Sequence, residues 1–279
     1  MSKSTWIATR ALVRDTFREA LARKLFWGFY GLSTVLILFF LFLLKIDVVE
    51  GAVATISLFG RTANPDVDVT RLVLQVHASI ASFLYTAGMF LAVFASSGLI
   101  PTVLEAGRIE LLLSKPVARH HILLGRYLGN LLVVALNICY LIAGVWLIFG
   151  WKTGVWTPGF LYSMATTIFI FAVLLSVITL ISVLFDSAAL TVMVTFALMI
   201  LSPILAQHKL MGKLLSSDWS RGLWRTLYYA LPKVFDLGRM TLDLVLGRPV
   251  DSLMPIWSSA LFGVFALGAG LLAFSRRDF

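Results

Sequence analysis

The chain has 279 residues, of which 59% are apolar and 13% charged, and its mean hydropathy is +0.93. Soluble domains carry about a quarter charged residues, so this composition belongs in a bilayer. It excludes a disordered protein, a coiled coil and a disulfide-rich secreted module, since Cys139 is the single cysteine. The net charge of +9 is read by position rather than as a sign of nucleic-acid binding, because basic residues mark the cytoplasmic side of membrane proteins.

Residues 1–24 are predicted to form an amphipathic helix on the cytoplasmic membrane surface. Placed on a helix, they put charged side chains on one face and apolar ones on the other. The apolar face holds Trp6, Val13, Phe17, Ala20 and Leu21. The arginines and lysines of the opposite face would meet the anionic headgroups of membrane lipids. Whether this helix only attaches the chain to the membrane or also contacts a partner protein is left open.

The remaining residues, 25–279, are predicted to form one domain with six transmembrane helices. A spanning helix needs roughly 20 apolar residues, because every backbone amide must be satisfied inside the helix. Six stretches without Asp, Glu, Lys or Arg meet this requirement: 25–44, 78–104, 127–151, 153–185, 187–208 and 252–275. Two of them exceed one span, so we expect Pro101 to end the second helix and Trp156, Thr157 and Pro158 to precede the fourth.

Six spans place both termini on one side, and the charges indicate that this side is cytoplasmic. Residues 1–24 contain six basic and two acidic groups, and Arg276 and Arg277 follow the last span. Loop 101–126 is therefore predicted to be cytoplasmic, and loops 45–77 and 209–251 extracytoplasmic. The last of these is basic, but long loops translocate largely regardless of charge. Within it, residues 209–231 predict one or two short helices on the outer surface, closed by Pro232. The predicted fold is an all-α, multi-pass membrane protein.

Loop 101–126 carries the most specific pattern in the chain. A short segment of acidic and apolar residues is followed by Ser-Lys-Pro, a basic residue and Gly-Arg at the entry to the next span. This pattern resembles the permeases of the type-2 exporter class of ABC transporters. The residues that match the family pattern, in order, are Glu105, Gly107, Glu110, Leu111, Leu112, Ser114, Pro116, Arg119 and Gly125. The departures are Arg108-Ile109, often a small or Thr-Leu pair in the family, and Arg126, often Lys.

The resemblance implies that this loop is a coupling helix that docks into a groove on a separate ATP-hydrolysing subunit. Such a contact uses an apolar helix face with charged residues at its rim. The residues implied to contact the ATPase are Glu105, Gly107, Arg108, Glu110, Leu111, Leu112, Leu113, Ser114, Pro116 and Arg119. The resemblance also implies a second permease copy, identical or related, with the substrate path between the copies. The alternative is an interfacial helix that only turns the chain back into the membrane.

No ATP-binding motif occurs in the sequence. Gly212-Lys213 is followed by Leu214 and lacks the upstream glycine of a phosphate-binding loop. We therefore expect ATP and Mg²⁺ in the partner ATPase, no cofactor or metal in this chain, and no enzymatic activity of its own. The four histidines, His77, His120, His121 and His208, are expected at span edges, and no metalloprotease or serine-hydrolase motif is present.

The predicted spans have no ionisable residue at their centre, which argues against an ion-coupled transporter. The polar residues that could line a substrate path are Asn130 and Asn137, on one face of the third span, and Ser82 and Ser96 on the second. Packing between helices is the alternative role for these groups. The sequence does not identify the substrate.

The predicted function is that of a membrane permease subunit of an ATP-driven ABC exporter in the inner (plasma) membrane. Its predicted partners are an ABC-type ATPase, a second permease copy and membrane lipids, and no nucleic acid. The alternative is a non-transporting scaffold or assembly subunit that binds a cytoplasmic partner through loop 101–126. Both functions need the loop to bind a protein, but only the first needs ATP to drive substrate movement.

Overall fold

The computed structural model describes residues 14, 17–18, 24–49, 53–58, 61–98, 101–104, 119–207 and 218–277. The predicted N-terminal helix lies outside the described residues except for Arg14, Phe17, Arg18 and Lys24. Residues 105–118, which include most of the predicted coupling helix, also lie outside them. Among the described residues, five helices are long and apolar enough to cross a membrane, and a shorter apolar helix, Trp27–Phe42, precedes them.

The first helix, α1, runs over Lys24–Leu38 and continues as a π-helical turn over Phe39–Leu43. It coincides with the predicted first span. It packs on the fourth helix of the chain through polar and aromatic contacts: Thr34 lies 3.1 Å from the Tyr140 hydroxyl, and the Tyr30 and Tyr140 rings are 5.4 Å apart. These contacts orient α1 against the rest of the bundle.

A three-stranded antiparallel sheet follows α1, in the order β1 (Leu44–Val49), β2 (Val53–Leu58) and β3 (Arg61–Asp68). Leu44 pairs with Leu58, and Val53 pairs with Asp68. Except for Leu44, the sheet lies within loop 45–77, so the apolar segments are helical as predicted, but the strands are not predicted from the sequence. The Val, Ile and Thr residues of β1 and β2 are the β-branched types that favour a pleated surface.

Helix α2 covers Val69–Ser97, with a π-helical turn at Leu84–Gly88. Asp68 caps its start by accepting hydrogen bonds from the backbone amides of Thr70 and Arg71, at 2.8 and 3.4 Å. The predicted start at residue 78 was wrong because this cap precedes a polar first turn that is nevertheless helical. The end is also earlier than predicted: Pro101 does not end α2 but opens a separate short helix, α3 (Pro101–Leu104).

Helix α4 covers Arg119–Thr153 and begins well before the predicted span 127–151. The end of the predicted coupling loop, residues 119–126, is therefore helical and continuous with the third span. Helices α5 (Pro158–Phe185) and α6 (Ala188–Ala206) follow. Helix α5 begins at Pro158, which was predicted to precede it, so the predicted boundary is correct to within one residue. Proline is favoured in the first turn of a helix.

The predicted outer loop 209–251 contains two helices, α7 (Asp218–Ala230) and α8 (Val234–Val245), separated by Pro232. The exposed, amphipathic α7 agrees with the predicted surface helix. Helix α8 was not predicted, and its inner face is buried in the bundle. A Cβ atom at Gly238 would lie 2.4 Å from the Tyr85 ring, and one at Gly159 would lie 2.1 Å from the Leu244 carbonyl oxygen. Helix α8 therefore packs closely on α2 and on the start of α5.

The last helix, α9, covers Met254–Arg276 and packs along α5. In α5, 61% of the apolar stretch is buried, against 33% or less in the other four spanning helices. Glycines make the contact close: a Cβ atom at Gly263 would lie 3.4 Å from Val173, and one at Gly270 would lie 3.3 Å from the Leu180 Cα atom. Small residues of this kind let membrane helices approach closely. Helix α5 is the centre of the bundle.

Candidate functional site

Only part of the predicted site lies within the described residues. Arg119 is the single predicted ATPase-contacting residue among them, because Glu105, Gly107, Arg108, Glu110, Leu111, Leu112, Leu113, Ser114 and Pro116 lie in segment 105–118. The four polar residues predicted for the substrate path are all described. The structure therefore describes the C-terminal end of the predicted coupling loop and the interior of the bundle.

Arg119 opens α4 and joins two distant parts of the chain. Its Nη1 atom donates a hydrogen bond to the backbone carbonyl of Arg277, just after α9, at 2.6 Å. The sequence analysis assigned Arg119 to ATPase contact alone and did not predict this bond. The structure thus places the residue that leaves the predicted coupling loop against the end of the last helix.

Arg277 also binds the turn between α5 and α6. Its guanidinium donates to the Val183 carbonyl at 2.7 Å and to Asp186 Oδ1 at 2.8 Å, and its Nη2 atom pairs with Asp186 Oδ2. This is a two-pronged, charge-assisted contact, the stronger kind of hydrogen bond. We call Arg119, Asp186 and Arg277 the end cluster, because they join the ends of three helices.

Ser96 and Asn130 form a buried polar contact between α2 and α4. The Ser96 hydroxyl donates to Asn130 Oδ1 at 3.2 Å, and both residues are buried. Asn130 Nδ2 has no hydrogen-bond partner among the described residues. Arg126 lies one turn earlier on α4 and is also buried, a basic residue inside a spanning helix that the sequence analysis placed in the loop. Arg126 lies four residues before Asn130 and therefore on the same face of the helix. This spacing is the sequence signal that could have indicated its burial.

Asn137 faces a groove between α1, α2 and α4. Its Oδ1 atom accepts a hydrogen bond from Ser33 of α1 at 3.5 Å, and its Nδ2 atom is buried without a partner in the described part of the chain. The groove has a volume of about 500 Å³ and a mainly apolar lining. The polar residues in this lining are Ser33, Gln75, Ser79, Asn137 and Thr167. A volume of this size accommodates a small organic molecule.

The structure does not bring the four predicted path residues into one site. Asn130 and Asn137 lie about 10 Å apart along α4 and bond to different helices. Ser82 is exposed and lines a separate, shallow cleft between α2 and α8 with Thr86 and Leu242. The two asparagines were predicted to share one helix face. In the structure, Asn130 belongs to a packed contact between helices, whereas Asn137 lines a groove.

His77 is buried beside the start of α5. Its Nδ1 atom lies 2.9 Å from the Thr157 hydroxyl, and its ring stacks on Phe160 with centroids 4.1 Å apart. The early start of α2 explains this, because it turns the residues before the apolar stretch into helix. Within the described ranges, no group of three His, Cys, Asp or Glu residues is placed to hold a metal ion.

Lys233 joins α7 to α8 at the opposite end of the bundle from the end cluster. Only 2% of the residue is exposed, and its Nζ atom lies 4.6 Å from the centre of the Tyr228 ring. Burial lowers the pKa of Lys233, and nearby Asp236 opposes that shift. Burial, together with the hydrogen bond that Tyr228 donates to Asp236 at 2.8 Å, raises the pKa of Tyr228. Lys233, Tyr228 and Asp236 therefore form a second polar junction.

The helical bundle has an apolar groove and polar junctions at both ends, and among the described residues five of its helices are long and apolar enough to cross a membrane. A family model described as ABC-2 family transporter protein matches residues 10–278. Because the match covers nearly the whole chain, the protein belongs to the ABC-2 transporter family and is a transmembrane permease of the ABC transporter class. Permeases of this family are membrane components without their own ATPase site and generally work with an ABC ATPase subunit. No curated protein matches the chain.

Proposed function

We propose that this chain is the permease subunit of an ATP-driven exporter, coupled through loop 101–126 to a separate ATPase subunit that binds ATP and Mg²⁺. The observation that carries the proposal is the family match over residues 10–278. The motif from Glu105 to Arg119 adds the contact surface, with Leu111, Leu112 and Leu113 as apolar residues of a helix seated in a groove. The continuous helix from Arg119 to Thr153 supports coupling, since a stiff helix carries displacement into the membrane.

The proposed topology has six spans and cytoplasmic termini in an inner (plasma) membrane, with α1 as the first span. Contacts between helix ends support the proposal that successive spans cross the membrane in opposite directions. The start of α4 and the ends of α5 and α9 meet at Arg119, Asp186 and Arg277. At the other end, Lys152 near the end of α4 donates to the carbonyls of Phe40 and Leu41, at 2.9 and 2.6 Å. The basic residues flanking the first and last spans then lie inside.

The proposed substrate path uses the groove between α1, α2 and α4 and the polar residues near it. Asn137 is one of the five polar residues in the apolar lining, Asn130 and Ser96 form the buried contact between α2 and α4, and Ser82 lies on the adjacent cleft. The lining suits a largely apolar or amphipathic substrate. A second permease copy, identical or related, would complete the path.

Co-purification with the ATPase after Leu112→Glu tests the proposal. A carboxylate in the apolar docking face would be buried without a partner, so we expect loss of the ATPase from the purified complex. The matched control is Thr226→Glu, which adds the same charge to an exposed position of α7. Normal ATPase recovery with Leu112→Glu would contradict the proposed docking. ATPase recovery without any ATP-driven movement in the permease would favour the scaffold alternative.

A further inference from the structure

We propose that the end cluster is a positioning device that carries the movement of the coupling loop into α5, α6 and α9. On its C-terminal side, the loop continues directly into α4, which begins at Arg119. The cluster supplies a second connection, from Arg119 through Arg277 to Asp186. This inference rests on the proposed function, since it needs an ATPase that moves the loop.

The chemistry of the cluster suits a firm connection. Arg119 uses a charged donor on a backbone carbonyl, which cannot rotate away as a side chain can. Arg277 presents a planar guanidinium to the Asp186 carboxylate and adds a bond to the Val183 carbonyl at the end of α5. A lysine in place of Arg277 would offer a point charge and lose the two-pronged geometry.

Asp186 lies at the junction between α5 and α6. It ends α5, with its backbone amide donating to the Ser182 carbonyl at 3.0 Å, and it immediately precedes Ser187, which caps α6. Its φ angle of 50° is the single positive value at a non-glycine residue among those the structure describes. Aspartate tolerates this left-handed conformation better than most residues, although glycine would fit it with less cost. The carboxylate at this turn forms the two-pronged contact with Arg277.

Helices α5 and α9 can respond together. The close approach at Gly263 and Gly270 holds the two helices against each other along their length. A displacement applied at Arg277 therefore reaches α9 through the backbone and α5 through both Asp186 and helix packing. Helix α4 also packs directly on α5 and α9, and the cluster adds a charged link between these helices at their ends.

The test measures the distance between the ends of α4 and α9 in the complete complex with its ATPase. Nitroxide labels are attached to exposed positions by His120→Cys and Ser275→Cys, with the native thiol removed by Cys139→Ser. Pulsed electron paramagnetic resonance is recorded in nanodiscs without nucleotide and after trapping with ATP and vanadate. In the parent protein we expect the same label distance in both states, because the cluster makes the two ends move together.

Asp186→Asn removes the negative charge that faces Arg277, while keeping a residue type that tolerates the left-handed conformation. Arg119→Gln removes the charged donor that links α4 to the Arg277 carbonyl. In each variant we expect the label distance to change on trapping by about 2 Å or more, the size of helix displacements in switching transitions. The control is Arg276→Gln, which removes an exposed neighbouring arginine and should behave like the parent.

An unchanged distance on trapping in both Asp186→Asn and Arg119→Gln, with the ATPase bound and active, would overturn the inference. So would a change in the parent protein. ATPase recovery is measured on the same samples, because its absence from the parent complex would contradict the proposed function itself. Melting temperatures show whether either cluster variant is misfolded, and the second variant then decides.

Discussion

At the residue scale, the polar groups inside the bundle join helices in pairs. Ser96 bonds to Asn130 between α2 and α4, and Ser33 bonds to Asn137 between α1 and α4. Helical spacing predicts that both asparagines share one face of α4, but in the structure they contact different helices. Their partners could not be predicted, because they depend on how the helices are rotated against each other. Arg126 and His77 were missed for a related reason: each lies in a helix that begins earlier than its charge-free stretch.

Asn130→Leu tests whether the Ser96 contact stabilises the bundle. The substitution leaves the Ser96 hydroxyl without its partner, and interhelical hydrogen bonds in membranes contribute about 0.6–2 kcal/mol. We expect a lower melting temperature in detergent. Ser79→Ala is the control, since among the described residues the Ser79 hydroxyl donates to the Gln75 carbonyl of its own helix, at 2.9 Å. Equal melting temperatures for Asn130→Leu and the unaltered protein would contradict a packing role and favour a role in the substrate path.

Lys233 predicts a pH dependence of stability. Its folded pKa lies below the ordinary value of 10.5, so the unfolded chain binds more protons between these two values. The stability that Lys233 contributes should therefore rise as pH increases through this window and level off above 10.5. The difference in melting temperature between the unaltered protein and Lys233→Met, measured from neutral to alkaline pH, checks this.

Tyr228 is present in both proteins of that comparison, so its own raised pKa cancels from the difference. Its effect has the opposite sign, because a raised folded pKa lowers stability as pH rises above the ordinary tyrosine value. A difference that stays constant with pH would show that burial does not depress the pKa of Lys233.

At the element scale, the length of the stretches without charged residues predicted that helices would form. Caps and turns determine where these helices begin. The start of α5 was predictable because Pro158 follows two interface residues. The start of α2 was not, since Asp68 lies among polar residues that look like loop. Helix α8 was missed because it is short and carries Asp236, Arg239 and Asp243 on one side, although its other side packs in the bundle.

Gly270→Leu tests the close packing of α9 on α5. A side chain there would meet the Leu180 backbone, so the helices must separate at a cost of about 1–3 kcal/mol. We expect a clear loss of melting temperature and of monodisperse protein. Gly268→Leu is the matched control on the same helix, because a Cβ atom there meets nothing within 4 Å. Similar behaviour of the two variants would contradict a tight contact between α5 and α9.

At the scale of the whole molecule, α5 is the central helix around which the bundle packs, and polar junctions lie at both ends. The class of protein was predictable from one loop motif together with the spacing of apolar stretches, and the family match confirms it. The sheet between α1 and α2 and the close packing of α8 were not predictable from apolar length. The sheet depends on backbone pairing between consecutive strands, and the packing of α8 depends on contacts with helices distant in sequence. The ATPase contact itself stays a prediction for segment 105–118.

The central claim is that this permease works with a separate ATPase. The most direct measurement is affinity purification of the unaltered chain from native membranes in mild detergent, followed by mass spectrometry of the proteins recovered with it. We predict that an ATPase with a phosphate-binding loop is recovered in amounts equal to the permease. Repeated recovery of the folded chain without any ATPase would contradict the account.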